Sequence, residues 1–482
     1  MNLTHLLKLG SSLRQRPLFN LVLFVLVVSP FGIYGIVSAD ENTTNPASEP
    51  RAASSQLSFS EISEESQLVF QGCAYSGAWA DYDNDGDLDL YVGNLDKPPA
   101  KGYSPGGSMR RKELAEFPHA GNLLYRNNGD DTFTDVVFEA GVDDHSDSDG
   151  GVGWSDFDND GDMDLFVANR GQPDRLYRNN GDGTFTDVAP DLGVDYPQNE
   201  FPGNSEGVAW GDYDNDGDPD LFIASLSGIN PLYQNNGDGT FTEVTRISGI
   251  ILGRRSIAAS WADFDNDGNL DLYVTTTQSP NLLYLNNGDG TFSNEGDPSG
   301  TARVDAGMGD GRGAAIADYD GDGNLDIFVA NFGATRNWLF RSNGTDNNFL
   351  VVKPEGTISN RNAVGARVTA VATINGKQVT QVREIVTASS RHAQDSLAAE
   401  FGLGDASSVN ITVEFPSGIV VELKQVEPNQ TLEVLEASPD LPNTGGVVIT
   451  WQIFVMSGIF FLATGALLIT YWSRTNGRKL RS

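Results

Sequence analysis

One nine-residue acidic pattern recurs five times in this chain, and it constrains the fold more than any other feature. Asp, an aromatic, Asp, Asn or Gly, Asp, Gly, Asp or Asn, any residue and Asp occupy 81–89, 156–164, 212–220, 263–271 and 318–326. The starts lie 75, 56, 51 and 55 residues apart. Self-similarity at such a period marks a repeat architecture, in which neighbouring units bury a face that none can bury alone. A second motif, Asn-Asn-Gly-Asp-[Gly/Asp]-Thr-Phe, follows at 127–133, 179–185, 235–241 and 286–292, and decays in copy five to Ser342, Asn343 and Gly344. It starts 23 residues after the loop in copies two to four but 46 after it in copy one, so about 23 residues are inserted near 96–119.

The loop chemistry follows from its spacing. Asp fills positions 1, 3, 5 and 9 in every copy, and Gly fills position 6. The glycine permits a sharp turn that folds the carboxylates inward. The candidate ligands are Asp81, Asp83, Asp85, Asp87 and Asp89; Asp156, Asp158, Asp160, Asp162 and Asp164; Asp212, Asp214, Asp216, Asp218 and Asp220; Asp263, Asp265, Asp267, Asn269 and Asp271; and Asp318, Asp320, Asp322, Asn324 and Asp326. Position 7 can also offer its carbonyl. A hard cation with six to eight oxygen ligands suits such a set, and Ca²⁺, up to five ions, is the expected one; Mg²⁺ demands a stricter octahedron and keeps more water. An EF-hand is excluded, because position 12, where that loop needs a bidentate Glu, is Val92, Val167, Ile223, Val274 and Val329.

The flanks are strands. Short apolar β-formers follow each loop, such as Leu90-Tyr91-Val92 and Leu221-Phe222-Ile223. Copy three yields strands at 208–210, 221–224, 232–234 and 240–244, with a tight Asn-Gly-Asp-Gly turn between the last two. Four-stranded units in line predict the blades of a β-propeller. Copy five supplies three strands, and 57–62 (Leu-Ser-Phe-Ser-Glu-Ile) resembles the missing fourth. The count is five blades, with up to seven open.

These residues resemble the FG-GAP/VCBS repeats of integrin-α-like propellers, and most closely bacterial relatives of the cartilage acidic protein family. The resemblance rests on Gly-x-x-Trp-x-Asp-[Tyr/Phe]-Asp-Asn-Asp-Gly and the Asn-Asn-Gly-Asp-Gly-Thr-Phe motif, over residues 57–346. It implies extracellular, Ca²⁺-stabilised binding modules, with enzymes a minority, and seven blades in integrins. Residues 347–436 break the repeat and alternate as a small β-sandwich, with strands at 349–352, 367–374, 378–385, 409–415, 419–423 and 431–435. Residues 362–368, 401–404 and 415–418 resemble the ASPIC/UnbV domain, which commonly follows such repeats.

Both ends address the chain outside a cell. Residues 1–39 have the form of a signal peptide, with Lys8, Arg14 and Arg16 before an apolar run and Val37-Ser38-Ala39 as cleavage site; an uncleaved anchor is the alternative. Residues 40–56 form a linker. Leu441, Pro442, Asn443, Thr444 and Gly445, within 437–446, resemble an LPXTG sorting signal. Then come 26 uncharged residues (447–472), long enough for a transmembrane helix, and a basic cytoplasmic tail (473–482). That resemblance implies sortase, bacterial cell-wall peptidoglycan and attachment at Thr444, with membrane insertion before sorting; an ordinary membrane anchor is the alternative.

Catalytic constellations are missing from the sequence. Four histidines (His5, His119, His145, His392) are scattered, Cys73 stands alone, and no nucleophile elbow or phosphate loop occurs. His392 lies in a stretch, 389–394, that resembles a signature of the family. The repeat tryptophans (Trp79, Trp154, Trp210, Trp261) are expected in the core. The basic insertion, with Lys97, Lys101, Arg110, Arg111 and Lys112, is either a solvated loop or a contact for an anionic partner. The expected function is a surface-anchored, non-catalytic adhesion or ligand-binding module for an extracellular protein or glycan. The alternative is a polysaccharide-active lyase or hydrolase on the same scaffold. Nucleic acid is excluded as a partner by a net charge of −35. Loop positions 1, 3, 5, 7 and 9 hold 23 of the 66 acidic residues; setting them aside leaves a net of −12. Most of the charge is therefore ligand inventory.

Overall fold

The computed structural model describes residues 60–68, 74–94, 121–144, 150–196, 204–301, 311–332, 336–387 and 394–436, and the backbone of two strands near the start. The chain divides into Met1–Ile62 and Ser63–Ser482. The first unit holds an antiparallel hairpin, Leu23–Ser29 with Gly32–Ala39. His119, His145, His392, Cys73, the insertion at 96–119, the sorting motif and the 447–472 span lie outside the described residues. Among the described residues no helix is long and apolar enough to cross a membrane.

The second unit is a row of five antiparallel sheets, propeller-like, followed by a sandwich. Blade 1 is Ala74–Ala80, Asp89–Asn94, Leu123–Asn127 and Phe133–Asp135. Blade 2 is Val152–Ser155, Asp164–Val167, Arg175–Asn179 and Phe185–Asp187. Blade 3 is Ser205–Gly211, Asp220–Ser225, Leu232–Asn235 and Phe241–Glu243. Blade 4 is Ser256–Ala262, Asp271–Thr276, Leu282–Asn286 and Phe292–Asn294. Blade 5 has three strands, Gly311–Ala317, Asp326–Asn331 and Trp338–Phe340. Each acidic loop joins strands one and two of its blade.

Blades meet through repeated aromatic contacts. The aromatic at loop position 2 packs on the Trp and the Phe of the next blade: Tyr213 stacks on Trp261 at 5.9 Å and 10° and lies 5.5 Å from Phe292. Phe157 meets Trp210 and Phe241 in the same way, and Tyr82 lies 5.6 Å from Phe185, beside Trp154. At the junction of blades 4 and 5, Ile316 takes the place of the Trp and Phe264 packs against the cluster that holds it; beyond blades 1 and 5 no such contact is seen among the described residues. Trp154 is 1% exposed, but Trp79 of blade 1, with no preceding blade on it, is 38% exposed. Tyr273 in strand two of blade 4 is fully buried, whereas its counterpart Phe328 in blade 5 is 42% exposed, and Tyr319 at position 2 is 55% exposed. Of the repeat tryptophans expected in the core, Trp154 is buried, Trp210 and Trp261 are partly buried against the core clusters, and Trp79 is exposed.

The expected fourth strand of blade 5 at 57–62 is corrected: Ser60, Glu61 and Ile62 form no strand, and 57–59 lie outside the described residues. The turn just after it does follow the repeat. The Ser66 carbonyl accepts from Phe133 N–H at 2.9 Å, as the Ser248 carbonyl after blade 3 accepts from Phe292 N–H of blade 4 at 2.7 Å.

The sandwich pairs a four-stranded sheet (Lys377–Glu384, Arg367–Ile374, Val409–Glu414, Val420–Val426) with a three-stranded one (Ala399–Gly404, Asn348–Glu355, Gln430–Leu435). Leu350, Val352, Val368, Phe401, Val413 and Leu432 lie in the core between them. The Ala399–Gly404 strand is absent from the sequence-based set, because its two glycines lower the strand signal. Asn348–Glu355 pairs in parallel with Gln430–Leu435, the one parallel pairing among the described strands.

Candidate metal centres

The five loops share one hydrogen-bond plan, and it begins with backbone conformation. Position 6 has φ of +96, +95, +100, +100 and +84° at Gly86, Gly161, Gly217, Gly268 and Gly323, where a Cβ is strained. Position 4 is left-handed too, at φ 57–60° for Asn84, Asn159, Asn215 and Asn266, and 76° for Gly321. Asn and Gly are the residue types that tolerate this region. The two left-handed residues curl the backbone so that its N–H groups point inward. The position 1 carboxylate accepts from the position 6 N–H at 2.8–3.2 Å in every loop. The position 5 carboxylate accepts from the position 7 N–H at 2.8–3.0 Å.

Position 9 fastens the loop to its own blade. Asp89, Asp164, Asp220, Asp271 and Asp326 each accept from the position 2 N–H and, through the other oxygen, from the first residue of the second motif. These aspartates are buried. Position 7 turns to the neighbouring blade instead. Asn84 donates to Asp162 at 2.7 Å and Asn159 to Asp218 at 2.5 Å, while Asn215 and Asn266 donate to Asn269 and Asn324. Each loop is thereby tied to the next by its position 4 amide. Sequence reasoning missed this role; its signal was Asn at position 4 of four copies and Gly in the last, which no further blade follows among the described residues. The first Asn of the second motif adds a parallel tie. Asn179, Asn235 and Asn286 donate to the position 2 carbonyls of the preceding blade, at Tyr82, Phe157 and Tyr213. The rest of that motif is a turn held by its own Asp and Thr, as at Asp238 and Thr240.

The carboxylates that converge are fewer than the candidate set. Oxygens lie within 4.8 Å of one another for Asp81, Asp83 and Asp85, and for positions 1, 3 and 9 in the other copies: Asp156, Asp158 and Asp164; Asp212, Asp214 and Asp220; Asp263, Asp265 and Asp271; Asp318, Asp320 and Asp326. Asp87, Asp162 and Asp218 stand outside these carboxylate clusters, as do Asp160, Asp216, Asp267 and Asp322 at position 5 and Asp89. Like charges packed this closely resist ionising. Burial first, and the neighbouring carboxylates after it, push Asp81 up to about 6 and Asp89 to about 8. Asp156 and Asp212 rise to about 7, again chiefly by burial. Asp164, Asp220 and Asp271 are driven well above the usual carboxylate range by burial.

A cation fits this chemistry. The buried Oδ1 atoms of Asp81, Asp83, Asp158 and Asp214 have no hydrogen-bond partner. Unpaired buried acceptors of one sign cost free energy that a hard cation would offset. Position 3 contributes three of those four oxygens, so it is the position the loop leaves open for an ion.

Comparison with known proteins agrees with the architecture. Residues 156–223, 212–274 and 263–329 match the FG-GAP-like repeat, and residues 356–440 match ASPIC and UnbV. This chain carries FG-GAP-like repeats followed by an ASPIC/UnbV domain. It is also homologous to cartilage acidic protein 1. Identity is 30% over 319 residues to the human protein and 29% over 288 residues to that of Xenopus tropicalis, covering 62% and 56% of this chain. The chain spans about half the length of these relatives, 46% and 42%. A lectin, BP39L of Burkholderia pseudomallei, aligns over 76% of this chain and 89% of its own at 10% identity, with a TM-score of 0.35.

The ASPIC/UnbV domain sits directly on the FG-GAP loops. Its Glu384 accepts from Ser155 Oγ at 2.7 Å and from Asp156 N–H at 3.2 Å. Arg367 donates to the Gly217 carbonyl. Gly404 N–H donates to the Asn266 carbonyl at 2.9 Å. Asp395 accepts from Ile316 N–H at 2.7 Å, and Thr387 Oγ1 both accepts from and donates to the backbone of Trp79. All five blades are therefore touched. A cavity at this seam is lined by Trp210, Asp212, Trp261, Asp263, Arg383 and Glu400. Burial pushes Glu400 up to about 7 and lowers Arg383. The guanidinium of Arg383 lies over the Phe401 ring at 5.3 Å. None of this was legible in the sequence, which gives no signal for which face of a repeat a later domain covers.

Proposed function

We propose that this protein is a Ca²⁺-binding, non-catalytic adhesion or ligand-binding module displayed outside the cell. The reading rests on one observation: converging carboxylates whose buried Oδ1 atoms at Asp81, Asp83, Asp158 and Asp214 have no partner. Bound Ca²⁺ would supply two positive charges in each cluster, five ions in all. The loop residues would do the rest: positions 1 and 3 present oxygens, position 6 permits the curl, and position 9 holds the loop to its blade. Hairpins closed in this way fix the blade edges that display a binding surface. The partner class is an extracellular protein or glycan. The sorting motif at 441–445 and the uncharged span after it support attachment to a bacterial cell wall by sortase, with membrane insertion as a step before it.

Calorimetry of the chain with Ca²⁺ is expected to give up to five sites, with dissociation constants of roughly 10⁻⁴–10⁻³ M typical of extracellular modules. A site held at 100 times its dissociation constant adds about 2.7 kcal/mol. Chelation should therefore lower the melting temperature, and excess Ca²⁺ should restore it. An unchanged melting curve in chelator refutes the metal reading. A glycan array run beside reducing-sugar assays tests the rest: binding without turnover is expected, and new reducing or unsaturated ends would overturn the non-catalytic assignment.

A further inference from the structure

We infer that metal loading of the loops in blades 4 and 5 holds the ASPIC/UnbV domain on the propeller, making the domain seam a calcium-dependent joint. This inference rests on the metal reading above.

The seam is built on loop backbone, and loop backbone keeps its shape only while the loop stays curled. Loop 4 offers two backbone carbonyls, more than any other loop. The Asp265 carbonyl accepts from Asn347 Nδ2 at 2.9 Å, at the start of the sandwich, and from Thr345 Oγ1 at 2.7 Å in the segment just before it, and the Asn266 carbonyl accepts from Gly404 N–H. The approach is close enough that a Cβ on Gly402 would collide with the Asp263 carboxylate and the Asn266 backbone. Loop 5 is as tightly covered, since a Cβ on Gly323 would collide with the Phe349 ring. Loop 1 is different. There a Cβ on Gly86 would stand 3.3 Å from the Ile358 carbonyl, a tight contact but not a collision.

Charge acts in the same direction at the edges of the seam. Glu384 is partly buried against Ser155 and Asp156 of loop 2, and Glu400 is partly buried in a cavity that Asp318 of loop 5 also lines. The domain thus brings two more carboxylates to loops that already gather several, together with Arg367, 4.0 Å from Glu384, and Arg383 beside Asp212 and Asp263, which offset part of that charge but leave the carboxylates in excess. Buried like charges without a counter-ion are unfavourable. A divalent ion in each loop reduces that repulsion and also fixes the carbonyls that the domain grips. Linkage makes the effect reciprocal: if the ion favours docking, docking raises affinity for the ion by the same factor.

The test is amide hydrogen exchange on the full chain, with calorimetry in parallel. The reporters are Gly404 N–H, bonded to the Asn266 carbonyl, and Ser396 N–H, bonded to the Ile316 carbonyl. Amides within Arg367–Ile374 serve as the reference for the domain's own fold. Chelation is expected to speed exchange at Gly404 and Ser396 by about tenfold or more, within the range of coupling between linked sites, and to leave the reference amides unchanged. Asp265→Asn should release the reporters even in Ca²⁺, whereas Asp83→Asn, the same position in loop 1, should remove one ion by calorimetry and leave them protected. Ions that bind while the reporters ignore chelator overturn this inference and spare the metal reading. Equal release by the two variants also overturns it. An absence of Ca²⁺ binding overturns both.

Discussion

Asn235→Ala isolates the tie between blades 2 and 3. The Asn235 side chain is buried and serves three backbone groups. It donates to the Phe157 carbonyl at 2.8 Å and the Pro219 carbonyl at 3.2 Å, and accepts from Gly237 N–H at 3.2 Å. Alanine leaves all three without that partner. Each buried polar group so orphaned costs about 1–3 kcal/mol. Gly237 is exposed and can turn to water, so the buried Phe157 and Pro219 carbonyls set the expected loss at about 2–4 kcal/mol, a large share of a typical domain's stability. The adjacent Asn236 is the control. It lies in the same turn, and its amide donates to Thr240 Oγ1 at an exposed position, so Asn236→Ala should cost under about 1 kcal/mol. Urea unfolding in saturating Ca²⁺, followed by tryptophan fluorescence, reads both. Equal losses for the two variants, or a loss below about 1 kcal/mol for Asn235→Ala, would refute the reasoning that this amide carries the blade contact.

Trp261→Ala should cost about 3–5 kcal/mol in the same assay, the range for large aromatic truncations in a core, because Tyr213 and Phe292 pack on it. Trp79→Ala should cost distinctly less, since no blade precedes it. Glu436 is buried yet held down to about 2: burial raises its pKa, but hydrogen bonds from Ser417 and from the Thr357, Ile358 and Ser359 backbone outweigh that. Glu436→Gln should therefore lose about 2–3 kcal/mol, in line with hydrogen bonds to a charged group, in melts at pH 7. The wild-type contribution is present above the ordinary carboxylate pKa and fades as pH falls towards 2. The loop carboxylates carry the opposite sign. With Asp156 and Asp212 raised to about 7, the metal-free protein binds more protons folded than unfolded, so its stability should fall as pH rises from 4 to 8. Saturating Ca²⁺ should flatten that slope in thermal melts.

Much of the candidate site was legible because its logic is local. Glycine at position 6 foretold a left-handed turn, and Asp at positions 1 and 3 foretold converging oxygens. Periodicity also placed the strands of blade 3, which differ from expectation by a few terminal residues. The losses have physical causes. Position 7 offers the residue type of a ligand, and in copies two to five its side chain also accepts from the position 4 amide of the preceding blade, a partner no local pattern shows. Strand 399–404 was hidden by Gly402 and Gly404, which are there because strand and loop 4 approach too closely for a Cβ at Gly402.

The sequence by itself determined the repeat, the curl of each loop and the identity of the atoms offered to an ion. Those depend on φ preferences and on partners within nine residues. Tertiary structure alone decided which oxygens remain unpaired, which aromatics are covered and what lies on the loops. Burial and local dielectric are set by groups distant in sequence: Arg367 reaches Gly217 across 150 residues, and Thr387 reaches Trp79 across 308. No local pattern encodes such a meeting, because the free energy that selects it comes from faces that exist only after the blades have formed.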